Sequence, residues 1–168
     1  MNGDSESPET PPPRLLASGR DQPRLKLLIA TDAGYYPTIR LATKLHRADE
    51  LPPWPLLVLF GAGDAFPFRP RPSTILVPGM PAGVIACVPA LEEFGVASRL
   101  ASTAGLPGCH DGEVTELAAL WLQSLEPGML AQVHMVVSGA EPTVSAAEAL
   151  AKRVGVSFQV MPTQAVEG

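Results

Sequence analysis

Two cysteines, Cys87 and Cys109, are all that this chain of 168 residues contains. They are too few for a disulfide framework, and they lack the C-x-x-C spacing of a zinc, thioredoxin-like or iron–sulfur site. The simplest reading is a reduced, cytoplasmic protein. Cations are scarce as well. With 12 Lys plus Arg against 17 Asp plus Glu, no basic stripe can neutralise a phosphate backbone, so no nucleic acid partner is expected. No apolar run approaches the length of a bilayer span, and the acidic, proline-rich start lacks the basic end and apolar core of a signal peptide, so no membrane partner is expected either. Gly-x-Ser-x-Gly, P-loop and His-Glu-x-x-His patterns are all missing, which removes the usual hydrolase, kinase and metalloprotease readings.

An apolar content of 46% supports a globular body with room for one domain and its core. Residues 1–23 carry Ser5-Glu6-Ser7-Pro8-Glu9 and Pro11-Pro12-Pro13, a composition that buries too little to offset its ordering entropy. They are expected to form a disordered Pro/Ser/Glu-rich tail, leaving 24–168 as the single domain.

The body alternates strands and helices. Leu25 to Ala30 reads as a strand, Pro37 to about His46 as a helix ended by Leu51-Pro52-Pro53, and Leu56 to Phe60 as a central strand covered on both faces. Residues 61–83 form a Pro-rich insertion whose Phe66-Pro67-Phe68-Arg69-Pro70 continues no regular element. Thr74–Val77 and Val84–Cys87 flank Pro78–Gly83 as a hairpin or flap. A short helix from Pro89 to Phe94 and a strand from Ala97 to Ser102 follow. Asp111 is placed to cap a helix whose Val114, Leu117, Ala118, Trp121, Leu122 and Leu125 share one face, before Pro127-Gly128 stops it. Val133–Val137, a helix over Thr143–Val154 stopped by Gly155, and a strand over Val156–Met161 complete the series. This rhythm predicts a three-layer, doubly wound, mostly parallel sheet of five strands.

Two segments stand out within it, Leu27–Pro37 and Val136–Pro142. Each is a buried strand that turns at a glycine and starts a helix at a proline, the way an open α/β sheet makes a ligand crevice at its strand ends. Thr31-Asp32-Ala33-Gly34-Tyr35-Tyr36-Pro37 resembles the Gly-Gly-x-Gly-x-x-Pro turn of the nucleotide-binding half of the ferredoxin–NADP reductase family. Ser138-Gly139-Ala140-Glu141-Pro142-Thr143 is similar to that family's Cys-Gly-Pro end of the fourth strand, commonly continued as Glu-Pro-Met. Gly112-Glu113-Val114-Thr115-Glu116-Leu117 is similar to its Gly-x-Val-x-x-x-Leu helix entry. The version most resembled is the electron-transfer subunit of dihydroorotate dehydrogenase, and the likeness covers residues 25 to 162.

The resemblance implies a Rossmann-like NAD(P)-binding domain of ferredoxin reductase type, with Thr31, Asp32, Gly34, Tyr35, Ser138, Gly139 and Glu141 lining the cofactor position. NAD(P) is the cofactor it allows. FAD and a 2Fe–2S cluster are not expected, because the family's flavin barrel and four-cysteine tail have no counterpart here, and without them a hydride's electrons have nowhere to go on this chain. Two of the three family glycines are replaced by Thr31 and Asp32. Glycine there lets backbone amides approach a phosphate, whereas a carboxylate at contact distance adds repulsion of about 4 kcal/mol per charge pair at an effective dielectric of about 20.

Asp32 allows two readings: a helix cap worth about 0.5–2 kcal/mol, filling the phosphate place with a built-in anion, or a solvated side chain. Tyr35-Tyr36 either stack on a ligand ring or fill the space of a missing cofactor. Ser138 either donates to a ligand or is a small residue packed at a strand end. Cys109-His110-Asp111 offers a thiol, an imidazole and a carboxylate, but adjacent residues do not normally converge on one point. His46 and His134 have no second ligand at metal spacing. Glu92-Glu93 and Glu113/Glu116 read as solvated helix positions. Phe68-Arg69-Pro70-Arg71-Pro72 and Trp54 read as interaction surface or as a lid.

Three functions follow. The chain is an accessory module binding a partner protein or non-phosphate ligand without catalysis; or it is an NAD(P)H-binding electron-transfer subunit, an oxidoreductase completed by a separate flavoprotein; or, trailing both, a thiol enzyme using Cys109. The first is favoured, since an inherited fold does not carry activity once site residues have changed.

Overall fold

The computed structural model describes residues 25–48 and 56–163. The expectations for residues 1–23, for Leu51-Pro52-Pro53 and for Trp54 lie outside them. Strand β1 (Leu25–Thr31) is buried along nearly its whole length, as its apolar run from Leu27 to Ala30 requires, with Lys26 only partly covered. A 3-10 turn over Asp32–Gly34 leads into α1 (Tyr35–Ala48), followed by β2 (Leu56–Ala62). The insertion contributes β3 (Arg71–Pro72), which pairs antiparallel with β4 (Ala86–Cys87). Then come α2 (Pro89–Glu93), β5 (Ala97–Ser102), β6 (His110–Asp111), α3 (Val114–Gln123), α4 (Pro127–Leu130), β7 (Val133–Ser138), α5 (Glu141–Val154) and β8 (Ser157–Val160).

The main sheet has six strands in the order β6-β5-β2-β1-β7-β8. All its pairings are parallel. The fold is α/β and compatible with a Rossmann-like architecture. The expected count of five strands is corrected by β6, which pairs only Ala101 with His110 and Ser102 with Asp111. Asp111 is therefore a strand residue and not the cap of α3. Glu113 is the cap, accepting from the Glu116 backbone while the Glu116 carboxylate takes the Glu113 amide.

Strand alternation splits the core in two. Leu27, Ile29, Leu57, Leu59, Met135 and Val137 face α3 and α5, meeting Leu117, Trp121 and Leu150. Leu28, Ala30, Val58, Phe60, Leu100 and Val136 face α1 and α2, meeting Ala42 and Leu91. Each fully buried leucine contributes about 1.5–3 kcal/mol relative to an exposed one, so this double face is what holds the strand ends in place. α5 stops at Gly155, whose backbone is left-handed.

The insertion is a packed cover and no free hairpin. Thr74–Val77 forms no strand. Glu92 accepts from the Ser73 hydroxyl at 2.7 Å and from the Thr74 amide and hydroxyl at 2.7 and 3.0 Å. Arg99, buried in β5, donates to the Ile75 carbonyl at 2.6 Å and to the Ser98 carbonyl at 2.7 Å. Trp121 Nε1 donates to the Pro78 carbonyl at 3.2 Å. Glu92 is thus an anchor, not merely a solvated carboxylate. Burial pushes its pKa up, but the Thr74 amide and the Ser73 and Thr74 hydroxyls outweigh that and hold it below the usual carboxylate value.

Tyr35 is buried, its hydroxyl donating to the Gly61 carbonyl at 2.5 Å. Burial pushes the phenol from its ordinary value of 10.0 up to about 12. The folded state therefore favours the neutral ring, a contribution present below pH 10 and lost as pH rises toward 12. Tyr35→Phe is expected to lower stability by about 1 kcal/mol at neutral pH. It is also expected to shrink the fall in stability between pH 9 and pH 12 seen in urea titrations; equal alkaline losses in both proteins would count against this placement of the phenol.

Candidate functional site

The strand order reverses between β1 and β7, so their C-terminal ends form the crevice of an open α/β sheet. Two turns leave from it. Thr31 ends β1 next to Ser138 through the Ala30–Ser138 register, and Gly139-Ala140 lead from β7 into α5. All seven residues named from the sequence sit at or beside these turns, except that Tyr35 turns away from the crevice into the core.

The turns touch each other. Thr31 Oγ1 accepts the Ala140 amide at 3.1 Å and lies 3.4 Å from Thr143 Oγ1. A Cβ on Gly34 would collide with the Ser138 carbonyl and come within 3.0 Å of the Gly139 nitrogen. A Cβ on Gly139 would collide with the Thr31 hydroxyl and stand 2.7 Å from the Thr31 carbonyl oxygen. Gly139 also has φ +150, a region glycine alone enters readily. These glycines serve the approach of one turn to the other.

The helix start is occupied in part. At the N-terminus of α5 the Ala140 amide is taken by Thr31, the Thr143 and Val144 amides bond back to the Ala140 carbonyl, and Pro142 has none. Glu141 is exposed at the first helical position, its carboxylate receiving the Ser145 hydroxyl at 3.3 Å. Ser138 is fully buried, and its hydroxyl has no hydrogen-bond partner. Thr38, on the first turns of α1, is buried and unpartnered in the same way.

Asp32 does not cap. It is exposed, has φ +48, and no side-chain cap bond forms at the turn it begins. Of its two sequence readings, the cap is corrected. A left-handed aspartate is tolerated because its short side chain costs little there.

Aromatic rings close the neighbouring space. Tyr35 packs on Phe60 at 4.7 Å, on Phe66 at 6.2 Å and on Phe68 at 6.4 Å, and Phe66 stacks on Phe68 at 5.1 Å. Tyr35 therefore fills space, whereas Tyr36 is 64% exposed. The sequence reading missed Phe60, Phe66 and Phe68 as partners of Tyr35. Three phenylalanines within nine positions, in a chain where aromatics are only 5%, were the available signal.

The remaining candidates disperse. Cys109 directs its sulfur toward the Pro107 carbonyl at 3.7 Å, His110 lies 3.4 Å from Glu116, and Asp111 is exposed. Burial raises the Cys109 thiol above its ordinary value, which opposes a nucleophilic role. Cys87 is buried and pushed up to about 11, by burial first and Glu92 second. His46 packs near Phe94 at 5.8 Å, and His134 bonds to Ser157 and Gln159. Arg71 pairs with Glu93 at 3.5 Å. Among the described residues no group of three His, Cys, Asp or Glu could hold a metal ion, and no helix is long and apolar enough to cross a membrane.

In comparisons with protein-family models, with curated proteins and with solved structures, nothing matches this chain. The sealed turns make a direct demand on stability. Gly34→Ala is expected to cost at least about 2 kcal/mol, because its methyl meets backbone that cannot yield, and Thr31→Val about 1 kcal/mol for the lost acceptor. Gly128→Ala, which meets nothing within 4 Å, should be near neutral. Urea midpoints that fail to separate Gly34 from Gly128 would contradict this packing.

Proposed function

We propose that the chain is a nucleotide-binding-like domain of ferredoxin reductase type that has closed its dinucleotide seat. It acts as an accessory module for a partner protein or a non-phosphate ligand, without catalysis of its own. One observation carries this reading: the Ala140 amide, a donor that a diphosphate at the head of α5 would use, is held by Thr31 Oγ1. The Gly34 approach to the Ser138 carbonyl supports it, since no room is left between the turns for a phosphoryl group. Asp32 and Glu141 add two exposed carboxylates at the same rim. Each repels an anion 4 Å away by about 1 kcal/mol in water and about 4 kcal/mol at an effective dielectric of 20. One hydrogen bond from a free amide returns only about 1.5–3 kcal/mol to a charged acceptor, so repulsion and the broken Thr31 contact outweigh it.

A second reading is favoured by one residue. The buried, unpartnered Ser138 hydroxyl is an unpaired polar group of the kind a ligand satisfies. In that reading the chain binds NAD(P)H as the electron-transfer subunit of a separate flavoprotein, with Gly34, Ser138 and Gly139 along the cofactor. Fluorescence titration with NADH and NADPH separates the two. The closed seat is expected to give no saturable binding up to about 1 mM, the equivalent of less than about 4 kcal/mol of affinity. A micromolar dissociation constant for either nucleotide would overturn it and install the second reading.

A further inference from the structure

The insertion carries a surface that is both uncharged and rigid. From Pro72 to Leu91 the chain has no Asp, Glu, Lys, Arg or His, although 17% of its residues are charged. Within that run Leu76 is 85% exposed, more than any other large apolar side chain among the described residues. A Cβ on Gly79 would collide with the Ser124 hydroxyl, and Leu120, one turn before Ser124 on α3, is exposed as well. Leu76, Pro78 and Gly79 thus continue onto the outer side of α3 as a surface without charge.

A single exposed leucine is ordinary on a protein surface. This one is held out by its neighbours. The Thr74 amide is fixed by Glu92, and the Ile75 amide donates to the Ser73 hydroxyl at 2.9 Å while its carbonyl takes Arg99. On the other side the Val77 carbonyl takes the Met80 amide at 3.2 Å, the Val77 side chain packs on the core, and the Pro78 carbonyl takes Trp121. Between these anchored residues, the Leu76 N–H and C=O make no hydrogen bond among the described residues. The loop lies inside the continuous stretch 56–163, and no undescribed residue adjoins it in sequence.

We infer that this loop is a self-association surface, on which a second copy of the chain docks about a two-fold axis through Leu76. A two-fold contact sets each group against its own copy, so a charge at the axis repels itself and an uncharged surface suits it. The backbone is self-complementary in the same sense. In an antiparallel pair, two residues directly opposite exchange both N–H···O=C bonds, so the free donor and acceptor of Leu76 are satisfied together by the same two groups of the second copy. No further main-chain group is needed, because the Ile75 and Val77 carbonyls are already taken inside. The two leucine side chains then lie next to each other, on the same face of the pair, and cover one another from water. The anchors to Glu92, Arg99 and Trp121 fix the loop in advance, so little conformational freedom is lost on docking. The contact is small, and the dimer is a transient one with a dissociation constant of about 10–500 µM. This inference does not depend on the closed nucleotide seat.

Analytical ultracentrifugation of the full chain tests it. The average mass is expected to rise from that of a monomer at about 5 µM toward that of a dimer at about 1 mM. Over the same range the Leu76 amide, followed by NMR, should exchange at least about threefold more slowly as its hydrogen bond forms. Leu76→Ser should stay monomeric throughout, with circular dichroism and thermal unfolding that match wild type, since the side chain it removes is exposed. In a Cys109→Ser background, Leu76→Cys should form a disulfide-linked dimer at least about tenfold faster than Tyr36→Cys, because directly opposite residues have the Cα spacing a disulfide needs. Tyr36 is also exposed but sits on α1, across the sheet from α3. Four results would each overturn the inference: a monomer up to about 1 mM, a dimer that survives Leu76→Ser, a Leu76 exchange rate independent of concentration, or equal rates of disulfide formation at the two sites.

Discussion

The hydrogen bond from the Ala140 amide to Thr31 Oγ1 ties together two strands that the sequence separates by a whole crossover series. Parallel sheets of this kind normally leave their carboxyl ends open at the reversal of strand order, and helix N-termini facing that gap supply donors. Here one side chain from the first turn supplies an acceptor to the second turn, and two glycines permit the backbones to meet. A threonine at this turn sets the logic of the site from the inside, because its hydroxyl is the acceptor for the Ala140 amide.

The surroundings follow from that closure. Tyr35 begins α1 immediately after Gly34 and, with the turn drawn against β7, its ring points into the sheet face and is boxed by Phe60, Phe66 and Phe68. The insertion is then drawn over the sheet, with Phe66 and Phe68 on one face and Ile75 and Pro78 fastened to Arg99 and Trp121 on the other. A buried arginine is tolerated because its guanidinium finds two backbone carbonyls, although its Nε has no partner. Among the described residues the least covered part of the sheet is its β7–β8 edge, where His134, Ser157 and Gln159 give a polar surface.

Long, doubly buried strands were legible because their apolar runs leave no alternative: Leu25–Thr31 and Leu56–Ala62 extend the expected strands by one and two residues. The face of α3 was legible from helical spacing, and Val114, Leu117, Ala118, Trp121 and Leu122 are buried as expected. His110–Asp111 was not, since two residues carry no period. The cap of α3 was missed because Asp111 is the commoner capping type, while Glu113 and Glu116 reach each other's backbone only once the helix exists. Thr74–Val77 looks β-like in isolation but is held by Glu92 and Arg99, contacts that local propensity does not register. At the site itself, the positions were legible from the turn glycines and prolines. Their mutual contact was not, because which hydroxyl meets which amide depends on strand register.

The exchange rate of one backbone amide tests the closed junction most directly. Hydrogen exchange of Ala140, followed by NMR on the full chain, should be slow, and it should accelerate in Thr31→Val while the amides of β7 stay protected. Exchange of Ala140 at the rate of a solvent-exposed turn amide in the unaltered protein, indifferent to the Thr31 substitution, would contradict the closure on which the proposed function rests.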